Sequence, residues 1–202
     1  MIMFDEQMRL TKDTVFDPLA RRLARVSPWM FSGLGLVAGF AAALALWQQA
    51  YGLGFGLWFL NRLFDGLDGA VARMRGTQSD LGGYIDIIVD FIVYALIPVG
   101  LGLGRTDAAA NLSLIFLLCT YYVNGASWMY LAAILEKRNL SHGDRLTTIT
   151  MPAGIIGGTE TILFYTLFII FPSQITWLFT LFGLLIILTI LQRLRWATRH
   201  LA

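Results

Sequence analysis

Apolar residues run in six long segments, roughly 29–50, 52–74, 82–104, 112–135, 151–172 and 175–194. Each is close to the ~20 residues that an α-helix needs to cross the hydrocarbon core of a bilayer. Only helices with internally satisfied backbones, or closed barrels, survive in that solvent. The pattern therefore predicts an all-α integral membrane protein of six transmembrane helices. With 57% apolar and 14% charged residues in a chain of 202, nothing substantial remains for a soluble domain. One domain is expected over 1–202: an interfacial segment at 1–27, a six-helix bundle at 29–194 and a cytoplasmic tail at 195–202. The single cysteine, Cys119, excludes an intramolecular disulfide and reads as a packing residue within a span.

Orientation follows from Lys and Arg in short loops. Arg9, Lys12, Arg21, Arg22 and Arg25 precede the first span. Arg73 and Arg75 join the second to the third, Lys137, Arg138 and Arg145 join the fourth to the fifth, and Arg193, Arg195 and Arg199 follow the sixth. The opposite loops hold Arg105 alone. Both termini are thus expected in the cytoplasm. The charged residues before the first apolar run, with no small-residue cleavage pattern after it, give no expectation of a removable signal peptide. Asp17-Pro18 has the form of an N-cap followed by proline at the first helical position. Val15, Phe16, Leu19 and Leu23 opposite Arg21, Arg22 and Arg25 give an amphipathic juxtamembrane helix. Glycine pairs Gly35/Gly39, Gly52/Gly56 and Gly100/Gly104 have the spacing of close helix contacts. Trp29, Trp47, Tyr51, Trp128, Trp177 and Trp196 mostly flank span ends, as in an interfacial belt.

Against this background four aspartates need explanation, because ionisable groups at membrane depth are costly and mark sites. On a helix, Asp65, Asp68, Gly69 and Ala72 share a stripe with Arg73 at its margin, and Gly82, Asp86 and Asp90 form an i, i+4, i+8 line. A short connection makes the two helices antiparallel, so Asp68 is expected to face Asp86 and Asp65 to lie near Asp90. Ionised carboxylates that close repel, so either some hold protons or cations sit among them. Oxygen-only ligands suit Mg²⁺, Mn²⁺ or Ca²⁺, and a pair of such ions is common machinery for displacement at phosphorus. Glycines at 69 and 82 open room for a ligand, and Arg73 offers a phosphate-binding fork at the cytoplasmic rim.

The run Asp65-x2-Asp68-Gly69-x2-Ala72-Arg73-x8-Gly82-x3-Asp86-x3-Asp90 resembles, at every specified position, the signature of the CDP-alcohol phosphotransferase (phosphatidyltransferase) family. Six spans, cytoplasmic ends and a juxtamembrane helix are also similar to that family, in a bacterial inner-membrane branch. The resemblance implies transfer of a substituted phosphoryl group from a CDP-linked donor, usually CDP-diacylglycerol, to an alcohol, with release of CMP. It implies two divalent cations, Mg²⁺ or Mn²⁺, held by Asp65, Asp68 and Asp86 with Asp90 near the second, and Asp90 as general base. Gly69, Ala72, Arg73 and Gly82 would line the cytidine diphosphate site, and a homodimer is implied. Where many family members carry Pro-Asn and a downstream Thr, this chain has Ser27-Pro28-Trp29-Met30-Phe31-Ser32, so Ser32 is the candidate replacement.

Other polar residues carry two readings each. Arg62, one turn before Asp65, is either an ion-pair partner of Asp65 or Glu160 or a substrate contact. Glu160, Asn124 and Ser127 are either part of an acceptor pocket or interhelical hydrogen-bonding groups. Arg145, with Lys137, Arg138 and His142, would cradle a phosphorylated acceptor, although cytoplasmic topology alone places basic residues there. A partner of another class, nucleic acid, is not expected. An ion or proton transporter also uses intramembrane acids, but does not account for Gly69, Ala72, Arg73 and Gly82 at these intervals.

Overall fold

The computed structural model describes residues 18–23, 25–138 and 154–201, and all of its long elements are helices. These are α1 (Pro28–Trp47), α2 (Tyr51–Arg75), α3 (Asp80–Leu103), α4 (Ala108–Lys137), α5 (Gly158–Ile170) and α6 (Ile175–His200), with a 3₁₀ turn at Pro172–Gln174. They fall into two compact units that divide between Gly104 and Arg105.

In the first unit α1 packs against both α2 and α3. Its buried face explains why, since Gly35, Ala38, Gly39, Ala42, Ala43 and Leu46 recur at helical spacing and are mostly small. Small residues let helix backbones approach where lipid offers no hydrophobic drive for association. A Cβ on Gly39 would stand 2.6 Å from Cγ2 of Val93, and one on Gly100 would run into the backbone carbonyl of Ala43. Gly104 likewise lies against the Leu46 and Trp47 carbonyls. The Gly52/Gly56 pair differs from the expectation, as nothing comes within 4 Å of either added Cβ, and the intervening Gly54 meets Leu46 instead. The outward faces are apolar: Val37, Phe40 and Leu44 on α1 and Phe59 on α2 are exposed.

Turn chemistry closes the unit. Gly76 at the end of α2 has φ +61°, and the amides of Gly76 and Thr77 return to the carbonyls of Arg73 and Ala72. A left-handed residue that satisfies the last carbonyls is the usual reason for glycine there. The hydroxyl of Ser79 caps α3 by accepting from the Gly82 amide at 3.1 Å. Before α1, residues 18–22 are helical, and Ala20, with Leu23 and Val26, packs on Phe31, Leu63, Phe64, Leu67, Ala70 and Val71. Leu19, on the apolar side expected to meet the interface, is exposed, and Asp17, Val15 and Phe16 lie outside the described residues.

In the second unit α4 and α6 pack side by side, and an aromatic cluster joins α5 to α6. Phe164 stacks on Phe182 at 4.4 Å, and Phe168 meets Phe179 edge-on at 4.9 Å. Asp107 caps α4 through the Ala110 amide at 2.8 Å. That bond, with the Arg105 guanidinium, holds its carboxyl below the usual carboxylate range. Cys119 is exposed on α4, not packed.

Among the described residues, four stretches are long and apolar enough to cross a membrane: Pro28–Trp47, Asp80–Leu103, Ala108–Lys137 and Pro172–His200. The second expected span is one continuous 25-residue helix, but Arg62, Asp65, Asp68, Arg73 and Arg75 lower its hydropathy. The fifth is described only as the 13 residues of Gly158–Ile170, since its expected start falls among undescribed residues. The expected tail at 195–202 is not separate, because α6 continues to His200.

Gly100→Ala and Gly39→Ala are expected to lower unfolding stability by about 1–3 kcal/mol, the cost of overpacking outweighing alanine's helical advantage. Gly56→Ala, with open space around it, is expected to be neutral or slightly stabilising. Thermal unfolding in detergent measures all three, and an unaffected Gly100→Ala would contradict the α1–α3 contact.

Candidate active site

The acids of the first unit sit on α2 and α3, whose backbones pack mainly on α1 rather than on each other. What joins their facing sides is Arg62. Its Nη2 donates to Oδ1 of Asp90 at 3.0 Å, its Nη1 donates to the Tyr94 hydroxyl at 3.1 Å, and Nη1 stands 3.6 Å from Oδ2 of Asp65. The guanidinium also lies 4.9 Å from the centre of the Trp58 ring and 5.1 Å from that of Tyr94. Aromatic faces and carboxylates together are what a desolvated arginine needs.

Arg62 is held in turn. Its Nε donates to Oδ1 of Asn61 at 2.8 Å, and Nδ2 of the buried Asn61 donates to the Gly35 carbonyl at 2.8 Å. A polar thread therefore runs from α1 through α2 to α3. Of the two readings of Arg62, the ion pair with Asp65 is present, and Asp90 and Tyr94 join it.

Asp68 is buried and accepts from the Ser32 hydroxyl at 2.7 Å. Ser32, singled out as a replacement for a donor-site residue, thus reaches an acid of the cluster. Asp65 and Asp86 lie within electrostatic range of Asp90, and Asp65 and Asp90 within range of Asp68. The four acids do share one region, with Asp86 its exposed member. They do not converge on a point: among the described residues no three His, Cys, Asp or Glu side chains are placed to share one metal ion. The reason is visible, as Ser32 draws Asp68 toward α1 and Arg62 stands between Asp65 and Asp90.

The oxygen-only donor set nevertheless suits hard divalent cations, since one arginine among four aspartates leaves the cluster acidic. Nη1 of Arg73 lies 3.3 Å from where a Cβ on Gly69 would be, so the arginine folds back over that glycine. Ala72 is half-buried beside it. A Cβ on Gly82 would meet only the capping Ser79 hydroxyl.

In the second unit, Asn124 and Ser127 accept from Nη1 of Arg193 at 3.0 and 3.2 Å. This interhelical bonding ties α4 to α6. Arg193, expected after the sixth span, is a buried member of α6. Glu160 lies in the first turn of α5, where Oε2 accepts from the Gly157 amide at 2.9 Å. Arg145 lies outside the described residues.

Sequence reasoning missed Asn61, Trp58 and Tyr94. The signal was available: Tyr94 extends the 82, 86, 90 line by one more turn, and Trp58 lies one turn before Arg62.

Comparison with known proteins identifies relatives of the chain. A family model described as CDP-alcohol phosphatidyltransferase matches residues 25–192. The Escherichia coli inner membrane protein YnjF is 38% identical over 135 residues, 66% of this chain and 65% of that protein. A CDP-diacylglycerol–serine O-phosphatidyltransferase of Methanocaldococcus jannaschii is 39% identical over 67 residues, 32% of this chain and 33% of that protein. These matches span about two-thirds and one-third of the curated relatives' own lengths. Mycobacterium tuberculosis phosphatidylinositol phosphate synthase, solved in apo form, is 26% identical with a TM-score of 0.67, over 89% of this chain and 94% of that one. The same enzyme with CDP-DAG bound gives 23% and 0.65, over 90% and 92%.

Ser32→Ala is expected to cost about 1–3 kcal/mol of stability, because it removes a side-chain donor from a buried carboxylate. Ser32→Thr should keep most of it. Denaturant unfolding of the two variants separates the lost hydrogen bond from general helix effects.

Proposed function

The chain belongs to the CDP-alcohol phosphatidyltransferase family, and from that premise we propose that it transfers a phosphatidyl group from CDP-diacylglycerol to an alcohol hydroxyl, releasing CMP, at the cytoplasmic face of a bacterial inner membrane. The reading carries with it six spans, with α2 and α5 crossing beside the four more apolar stretches, both termini in the cytoplasm, and a homodimer. Its main support is the eight-position motif held on α2 and α3, with acids drawn together and Arg73 folded over Gly69.

Asp65, Asp68 and Asp86 are the residues that would hold divalent cations, Mg²⁺ or Mn²⁺, two in number, with Asp90 beside them. Such ions, when bound, neutralise the donor diphosphate and stabilise the leaving CMP. The chain's own groups do the rest. Arg73 receives phosphate oxygens at the rim through its guanidinium fork. Gly69, Ala72 and Gly82 leave room for the nucleotide, while Ser32 positions Asp68. Asp90 takes the proton from the attacking hydroxyl, general-base help worth about 10²–10⁴ in rate. The apolar outer faces of α1 and α2 give the donor's acyl chains a path into lipid.

Asp90→Asn is expected to lower CMP release from CDP-diacylglycerol by at least about 100-fold while donor binding persists. Asp68→Ala and Asp86→Ala should lose both divalent-cation binding and turnover, and EDTA should abolish activity in the unmodified chain. The assay is run with a panel of alcohols including serine, glycerol 3-phosphate and inositol phosphate. Ion flux in liposomes altered by the same variants, with no CMP formed by any acceptor, would point to a transporter instead.

A further inference from the structure

We propose that Arg62 is the positioning residue of the acid cluster: its guanidinium is a resident cation that orients Asp90 and weakens divalent-cation binding at Asp65. The assignment rests on the transferase reading for the role of Asp90, but its effect on cation binding does not.

The geometry is that of a built fixture. Every nitrogen of the guanidinium is engaged: Nε by Asn61, Nη1 by Tyr94 and Asp65, and Nη2 by Asp90. Two aromatic rings, Trp58 and Tyr94, lie close to the group, and its side chain is only 10% exposed. A surface arginine that merely tolerated an acid would show none of this closure. Asn61, 1% exposed, anchors the fork to the α1 backbone through the Gly35 carbonyl, so the direction of Nη2 is set by three helices at once.

Two consequences follow from where the charge lies. The bond to Asp90 is made at Oδ1, so Arg62 restrains that oxygen, and proton transfer from the hydroxyl is assigned to Oδ2. A positive charge beside both Asp65 and Asp90 also competes with any further cation for the same oxygens. Outer partners of this kind commonly govern ligand affinity or activity by about 10–100-fold.

The test uses the full chain in detergent with Mn²⁺ as the probe, read by the electron paramagnetic resonance signal of free Mn²⁺. Arg62→Met is expected to bind Mn²⁺ about tenfold more tightly than the unmodified chain, and Arg62→Lys, which keeps the charge, within about twofold of it. In CMP release from CDP-diacylglycerol both variants should lose about 10–100-fold in kcat with little change in donor KM, because lysine lacks the fork. Mn²⁺ affinity in Arg62→Met that is unchanged or weaker overturns the proposal, as does an absence of Mn²⁺ binding to either chain or full kcat in Arg62→Lys. Should Arg62→Met fail to fold, Tyr94→Phe, which removes only the hydroxyl accepting from Nη1, is expected to lower kcat several-fold at constant KM. Full kcat in that variant also overturns it. If the unmodified chain releases no CMP with any alcohol, the transferase reading fails, and the Mn²⁺ comparison still decides the Arg62 assignment.

Discussion

One buried guanidinium holds the first unit's chemistry together. Four carboxylates on two helices in an apolar chain repel one another and are poorly solvated, so α2 and α3 would be driven apart along the side that carries them. Arg62 bridges that side, reaching Asp65 on its own helix and Asp90 and Tyr94 on the next. Its cost of burial is offset by carboxylates, a phenol, an amide oxygen and two aromatic faces, the full complement that a desolvated arginine can use.

The rest of the unit is arranged so that this bridge has a fixed span. Glycines 39 and 100 bring α1 onto α3, and Gly35 exposes a carbonyl to Asn61. Because α1 supplies the close packing to both neighbours, α2 and α3 are free to differ from an ordinary tight pair, and their facing sides carry polar groups instead of knobs and holes. Packing and site are therefore one design: small residues on α1 set the distance across which Arg62 works.

Much of this was legible in the chain. The apolar segments, the helical registers of 65/68/72 and 82/86/90, and the placing of acids beside glycines all follow from periodicity and from the cost of charge in lipid. The ion pair of Arg62 with Asp65 was readable from i, i+3 spacing. Less legible were features that depend on which face meets which helix. Gly54, not Gly52 or Gly56, proved to be the contact glycine, and Arg193 is buried within α6, where it bonds Asn124 and Ser127. Element ends also moved, since Glu160 belongs to the capping turn of α5 and α6 runs on through the expected tail.

The amino-acid order alone determined that the protein is helical, apolar enough for a bilayer and equipped with an acidic motif, because hydropathy and helical spacing are local properties. Tertiary structure decided how the acids are spent. Ser32 takes Asp68 from 36 positions away and Arg62 takes Asp90 from 28 away, so the four carboxylates share a region without meeting at a point. No local rule specifies such pairings, as they depend on the rotation of α1 against α2 and of α2 against α3, which the packing of small residues sets only once all three helices are in place.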